Sequence, residues 1–205
     1  ALALTHPRSL IVCPGFAPAL TLSPFRQRVV PYIHDLFLMT RQQDLNWRAR
    51  AYMAPSFAHA VRTWRRFLVN SDYTRGQLEA FCRPDATIDL YRPPVRNVFG
   101  VTSSGRETRA TSRTGLQLIA IGTVEPRKNL LAAADIVGAL RAGGLPDTVL
   151  HVVGRIGWGQ DDVALRERPG VITHGYQSAE TVRDLIGQAD ALISTSHDEG
   201  LGLPL

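Results

Sequence analysis

The sequence is almost without lysine: of its 23 basic residues, Lys128 is the single Lys and the other 22 are Arg. It holds two cysteines, Cys13 and Cys82, at no metal-ligand spacing. A reduced, cytosolic setting is therefore the default. No run of about 18 apolar residues occurs, so nothing reads as a bilayer-spanning helix. No signal peptide is visible. A Gly-x-Gly-x-x-Gly between a strand and a helix is missing, which weakens a dinucleotide-dependent oxidoreductase reading. RNA-recognition, zinc-finger and helix-turn-helix signatures are missing too, which argues against nucleic acid as a partner. The chain starts at Ala1 without Met and stops at Leu205 inside a helix-like motif, so it reads as an internal fragment.

What is present supports a packed protein. Hydrophobic content of 44% is ample for a core, and 205 residues allow one large domain or two small ones. Charge is unevenly placed: residues 1–114 carry 16 Arg against 7 acids, net +9, and residues 115–205 carry 7 basic against 11 acidic residues, net −4. A basic first half can meet an anionic membrane, a nucleic acid or an acidic substrate. Its one tight group, Arg62, Arg65 and Arg66, shares a helix-like segment with Trp64 and Phe67. That segment reads either as a membrane-surface face or as a solvated helix face.

Short apolar runs alternate with longer amphipathic ones. Leu10–Cys13, Val29–Ile33, Phe67–Val69 and Thr87–Leu90 read as strands, with helices over Trp47–Arg66 and Tyr73–Phe81. The second half reads as strand Leu116–Ile121, helix Asn129–Leu140, strand Val149–Val153, strand Val171–Thr173, helix Ala179–Gln188 and strand Ala191–Ser194. Ser71 and Ser178 are candidate helix N-caps. Between the halves, Thr102–Thr114 is polar and without periodicity, a linker or loop. This pattern predicts parallel sheets covered on both faces, as two Rossmann-like α/β domains: residues 1–98, a linker 99–114, and residues 115–205.

Ligands of open parallel sheets sit outside the carboxyl ends of the strands. Three segments qualify: Gly122–Asn129, Gly154–Trp158 and Ser194–Pro204. In the first, Gly122-Thr-Val-Glu-Pro-Arg-Lys-Asn129, a glycine turn and two cations precede a helix. Unpaired N–H groups, the helix dipole and the compact Lys128 ammonium suit an anion, above all a phosphate. The plainer reading makes Arg127 and Lys128 solvated residues of a first helical turn. Asp161-Asp162 is the nearest thing to a paired-acid metal site, but it reads as a solvated turn in a polar loop.

Four segments in order resemble the retaining GT-B glycosyltransferases of the glycogen-synthase-like group, family 4. They are Ile33-His-Asp-Leu36, Phe67-Leu-Val-Asn-Ser-Asp-Tyr-Thr74, Gly122–Asn129 and Ser196-His-Asp-Glu-Gly-Leu-Gly-Leu-Pro204. The resemblance spans most of residues 28–205 and implies a GT-B fold, two Rossmann-like domains facing across a cleft, both incomplete here. It implies a sugar transferred with retention from a nucleotide-diphosphate sugar to a glycan or lipid-linked acceptor, in polysaccharide or cell-envelope synthesis. By the same resemblance, Gly122, Arg127 and Lys128 hold the diphosphate, and Glu199 accepts hydrogen bonds from donor-sugar hydroxyls. The Gly200-Leu201-Gly202 turn brings backbone N–H groups to the donor. His34 faces the donor sugar, although it also reads as a structural histidine, and Asp35 is a turn or cap residue. Tyr176 lies in a turn whose backbone contacts the base, or in a plain surface loop.

With two side-chain cations on the leaving group, no metal or other cofactor is needed. Expected partners are the nucleotide sugar, the acceptor and, through the basic half, the inner face of a membrane. Thr123 replaces the arginine that many members carry after the motif glycine. The second glutamate of Glu-x7-Glu falls two residues beyond Leu205, so the 205-residue polypeptide alone is expected to be inactive. A non-catalytic nucleotide-sugar-binding module is the competing reading.

Overall fold

The computed structural model describes residue 5 and residues 7–15, 18–101 and 114–202. Residues 102–113 of the expected linker and 203–205 of the last motif lie outside the described residues. The chain forms two compact units. One comprises the residues up to Pro94 together with Asp198–Gly202; the other runs from Val95 to His197.

The first unit contains a parallel sheet of β1 (Ile11–Pro14), β2 (Val29–Ile33), β3 (Arg66–Val69) and β4 (Thr87–Leu90), in that spatial order. Inner strand β2 is the most buried, as a parallel strand covered on both faces must be. Helices α1 (Phe37–Thr40), α2 (Ala54–Thr63) and α3 (Asp72–Glu79) connect the strands. Ala54, Phe57, Ala60 and Val61 recur at helical spacing and bury one face of α2. Phe57, Ala60 and Val61 join Val29, Ile33, Leu36, Trp64, Phe67, Val69 and Leu78 in the core. A π-helical turn, Ala49–Met53, precedes α2. Pro55 explains it: its missing N–H and its ring exclude a regular bond to the carbonyl of Ala51, and the turn widens.

The helix expected over Trp47–Arg66 therefore ends at Thr63. Trp64 takes an extended backbone, and Arg66 opens β3. Trp64 and Phe67 are fully buried. A membrane-surface face built on Arg62, Arg65, Arg66, Trp64 and Phe67 is thus excluded, because its two aromatic rings belong to the core.

The second unit contains β5 (Gln117–Ile121), β6 (Val149–Val153), β7 (Val171–Gly175) and β8 (Ala191–Leu192), all parallel in the order β7-β6-β5-β8. Helices α4 (Leu130–Ala142), α5 (Asp161–Arg166) and α6 (Ala179–Gln188) complete it. Leu118, Ala120, Leu150 and Val152 point to one face and pack with Leu130, Ala133, Ala134, Val137 and Leu165. Ile119 and Val153 point to the other and pack with Val182 and Ala189. Asp161 and Asp162 form the first turn of α5 rather than a loop. Acids there complement the dipole, and buried Leu165 ties the short helix to the core. Ser71 and Ser178 cap α3 and α6, each accepting at 3.1 Å from the N–H three residues on.

Candidate functional site

Within the second unit, β5 lies between β6 and β8, and its carboxyl end opens at Gly122. The Gly122 N–H donates to Val153 at 2.9 Å, and the Gly154 N–H to Gly175 at 2.9 Å. A side chain at Gly154 would overlap the carbonyl of Gly122, so the two strand ends meet only because Gly154 has none. Beyond these glycines the loops stay joined: Val124 N–H donates to Arg155 O at 2.8 Å and Gly157 N–H to Val124 O at 2.9 Å.

Pro126–Lys128 form a single 3-10 turn, and Asn129, with φ 49° and ψ 42°, reverses the chain into α4. Arg127 and Lys128 accordingly precede α4 instead of lying in its first turn, and the structure separates their roles. Arg127 is largely buried; its Nε and Nη2 donate to one oxygen of buried Glu125 at 3.2 and 3.0 Å. Lys128 turns the other way, along Gly122. Its Cε lies 3.4 Å and its Nζ 3.8 Å from the point where a Gly122 side chain would begin. The absent Cβ leaves room for the ammonium group over the strand end.

The segment after β8 is bound to this turn. Thr195 Oγ1 donates to Asn129 O at 2.8 Å and Lys128 O at 3.3 Å, and His197 N–H donates to Arg127 O at 2.9 Å. All three predicted loop segments are thus brought together at the carboxyl end of β5, up to His197. Tyr176, 71% exposed, lies just past β7, with the Arg155 guanidinium 4.7 Å from its ring centroid.

Behind this edge runs a polar chain across three strands. His151 contacts Gln117 Oε1 through Nε2 and His174 Nε2 through Nδ1, both at 2.9 Å. With Gln117 as acceptor, His151 carries its proton on Nε2 and its Nδ1 accepts from His174. Burial, then the neighbouring His174, push the His151 pKa below its ordinary 6.5. Gln177 Nε2 donates to His174 O at 2.6 Å, tying this chain to the turn that carries Tyr176.

The remaining predicted residues fall in the first unit. His34 is exposed at the carboxyl end of β2, its ring 4.3 Å from that of Tyr32. Asp35 Oδ1 accepts from Phe37 N–H at 3.4 Å, a turn contact ahead of α1, whose N-cap is Leu36. Gly200 is buried against the carbonyl of His34, where a side chain would overlap, and its own carbonyl accepts from Ser71 Oγ at 2.5 Å. Thr74 Oγ1 reaches His34 O at 3.1 Å and Asn70 Oδ1 at 2.9 Å. Glu199, Leu201 and Gly202 are half-buried around this contact.

Sequence reasoning missed the residues that hold these segments. Glu125 lies two places before Arg127 and Thr195 two places before His197, and neither has a pattern of its own. Asp198 is 5% exposed; it accepts from Thr40 Oγ1 at 3.4 Å and from the Tyr73 hydroxyl. Burial and then this carboxylate raise the Tyr73 pKa. The only signal for Asp198 was its place beside Glu199.

No protein-family profile and no curated protein matches the sequence. Solved structures do match. The chain resembles WaaG, a glycosyltransferase involved in lipopolysaccharide biosynthesis, with TM-score 0.65 and 16% identity, over 98% of this chain and 57% of that one. It resembles TarM with TM-score 0.61 and 14% identity, over 96% of this chain and 38% of that one. Anabaena HepE, solved with UDP and glucose, matches with TM-score 0.53 and 13% identity over 85% of this chain and 48% of that one. The chain therefore spans between about two fifths and three fifths of the length of these neighbours. Its two parallel-sheet units have the GT-B fold.

Proposed function

We propose that the protein carrying this chain transfers a sugar from a nucleotide-diphosphate sugar to a glycan or lipid-linked acceptor, with retention of configuration. It would serve polysaccharide or cell-envelope assembly. The observation that carries this reading is the joining of the Arg127–Asn129 turn to Thr195 and His197, with Lys128 laid along Gly122. A site of this build suits a diphosphate leaving group.

In the reaction, the bond between the sugar's anomeric carbon and the diphosphate oxygen breaks, and the acceptor oxygen bonds to that carbon. Negative charge grows on the departing nucleoside diphosphate. The Lys128 ammonium answers it directly, and Arg127, partly neutralised by Glu125, holds the turn in shape. The Lys128 ammonium, held by this turn and joined by backbone donors, takes the place of a divalent ion, so the transfer would be metal-independent and need no cofactor. The extra room at Gly122 lets a phosphate oxygen approach the backbone. Gly200, Leu201 and Gly202 contribute backbone donors, and Glu199 orients the sugar through its hydroxyls. His34 faces the sugar, and Tyr176 with Arg155 flanks the base. The basic first half would rest on the anionic inner face of a membrane; among the described residues no helix is long and apolar enough to cross one.

The test uses the full protein. Thermal shift against UDP, GDP and ADP and their sugars should identify one stabilising base, and transferase assay should then find turnover. Lys128→Ala should lower kcat about 10²–10³-fold with the fold intact. Near-normal turnover would remove the role of Lys128. Nucleotide binding without any transfer would instead favour a non-catalytic nucleotide-sugar-binding module.

A further inference from the structure

The helical segment that begins at Trp47 has two unlike faces. The inner face, Ala54, Phe57, Ala60 and Val61, is core. On the outer face Trp47 is 67% exposed and Tyr52 is 71% exposed. Their ring centroids lie 6.5 Å apart, and the Arg48 guanidinium lies 5.4 Å from the Trp47 ring centroid. Residues five apart diverge around a regular α-helix. The π-helical turn at Ala49–Met53, whose end is marked by the Ala54 N–H bonding to Ala49 O, brings this pair onto one side. Asn46 Oδ1 caps the segment by accepting from Ala49 N–H at 2.8 Å. Between Leu45 and Trp64 the sequence has no acid, while Arg48, Arg50 and Arg62 are exposed.

We infer that this edge, Trp47 and Tyr52 flanked by Arg48 and Arg50, is a docking surface for an anionic phospholipid bilayer. Indole and phenol rings with one apolar body and one polar tip settle at headgroup depth. Arginines beside them are drawn to anionic headgroups, and the absence of acids removes the opposing repulsion. Burying these rings at an interface requires no spanning helix. A saccharide is the poorer fit: the nearest carboxylate in sequence, Asp44, is paired with Arg41 at 2.8 Å, and the Asn46 amide already caps Ala49. The inference names a face for the membrane contact proposed above, and it stands whether or not the protein transfers sugar.

The test is partition of the full protein onto phosphatidylcholine vesicles with and without phosphatidylglycerol. Binding should need phosphatidylglycerol, weaken with salt and shift the Trp47 emission to the blue. Trp47→Ala with Tyr52→Ala, and separately Arg48→Gln with Arg50→Gln, should each lower partition about tenfold. Both variants should keep the wild-type circular dichroism melt, and Arg166→Gln in the second unit should bind vesicles as wild type does. Equal partition of variant and wild type, or no partition onto phosphatidylglycerol, overturns the inference. So does a Trp47 and Tyr52 variant that binds vesicles normally but fails to bind acceptor saccharide or a protein partner.

Discussion

The two units share a four-stranded parallel sheet, yet their strand ends are built from opposite materials. In the first, a basic half of the sequence, the end of β2 is lined by hydroxyls, an amide and a backbone carbonyl: Ser71, Thr74, Asn70 and His34 O. In the second, the end of β5 is lined by glycine and cations. With net charges of +4 for the first unit and +1 for the second, whole-domain charge says little about where an anion binds. The arginines of the first half are dispersed over its surface, whereas the second half concentrates Lys128 over a strand end and shields Arg127 with Glu125. Neutral hydrogen-bonding groups suit sugar hydroxyls; an ammonium beside a side-chain-free backbone suits phosphate.

The sharpest way to break the comparison is steric. Gly154→Ala places a methyl group on the carbonyl of Gly122, and should cost about 3 kcal/mol of stability in the second unit. A thermal melt that barely moves would mean the two strand ends do not depend on this close approach.

A smaller effect separates Arg127 from Lys128. If Arg127 holds the turn through Glu125, then Glu125→Gln and Arg127→Gln should each weaken nucleoside-diphosphate affinity by about 1–2 kcal/mol, and the double variant no further. Tighter binding by Glu125→Gln would show instead that releasing Arg127 frees a phosphate ligand.

The smallest effect concerns pH. The sheet of the first unit is packed by apolar residues, while that of the second carries Gln117, His151 and His174. A folded pKa below the unfolded 6.5 means the unfolded chain binds more protons. Stability from this group is thus intact above about pH 6.5 and lost as pH falls below it. Acid should loosen the second unit slightly, an effect absent in His151→Gln. Hydrogen exchange resolved by residue would show whether β6 and β7 respond before β2 and β3.

Much of this fold was legible because parallel strands buried on two faces read as apolar runs. Val29–Ile33 and Val149–Val153 match the observed strands residue for residue. The helix α5 was not legible, since Leu165 is its only buried residue and two adjacent acids resemble a turn. Trp64 was misread because arginines on both sides gave a buried aromatic the look of a surface one. At the candidate site the glycines and Lys128 were visible as a motif. The Glu125–Arg127 pair and the Thr195 contacts were not, because each depends on a turn whose geometry is set by the αL backbone of Asn129.

The central claim is that a diphosphate binds over Gly122 against Lys128. A crystal structure of the full protein with its nucleoside diphosphate tests it most directly. A phosphate oxygen within about 2.7–3.2 Å of Lys128 Nζ is the predicted result. A nucleotide seated elsewhere, with Lys128 turned to solvent, would contradict it.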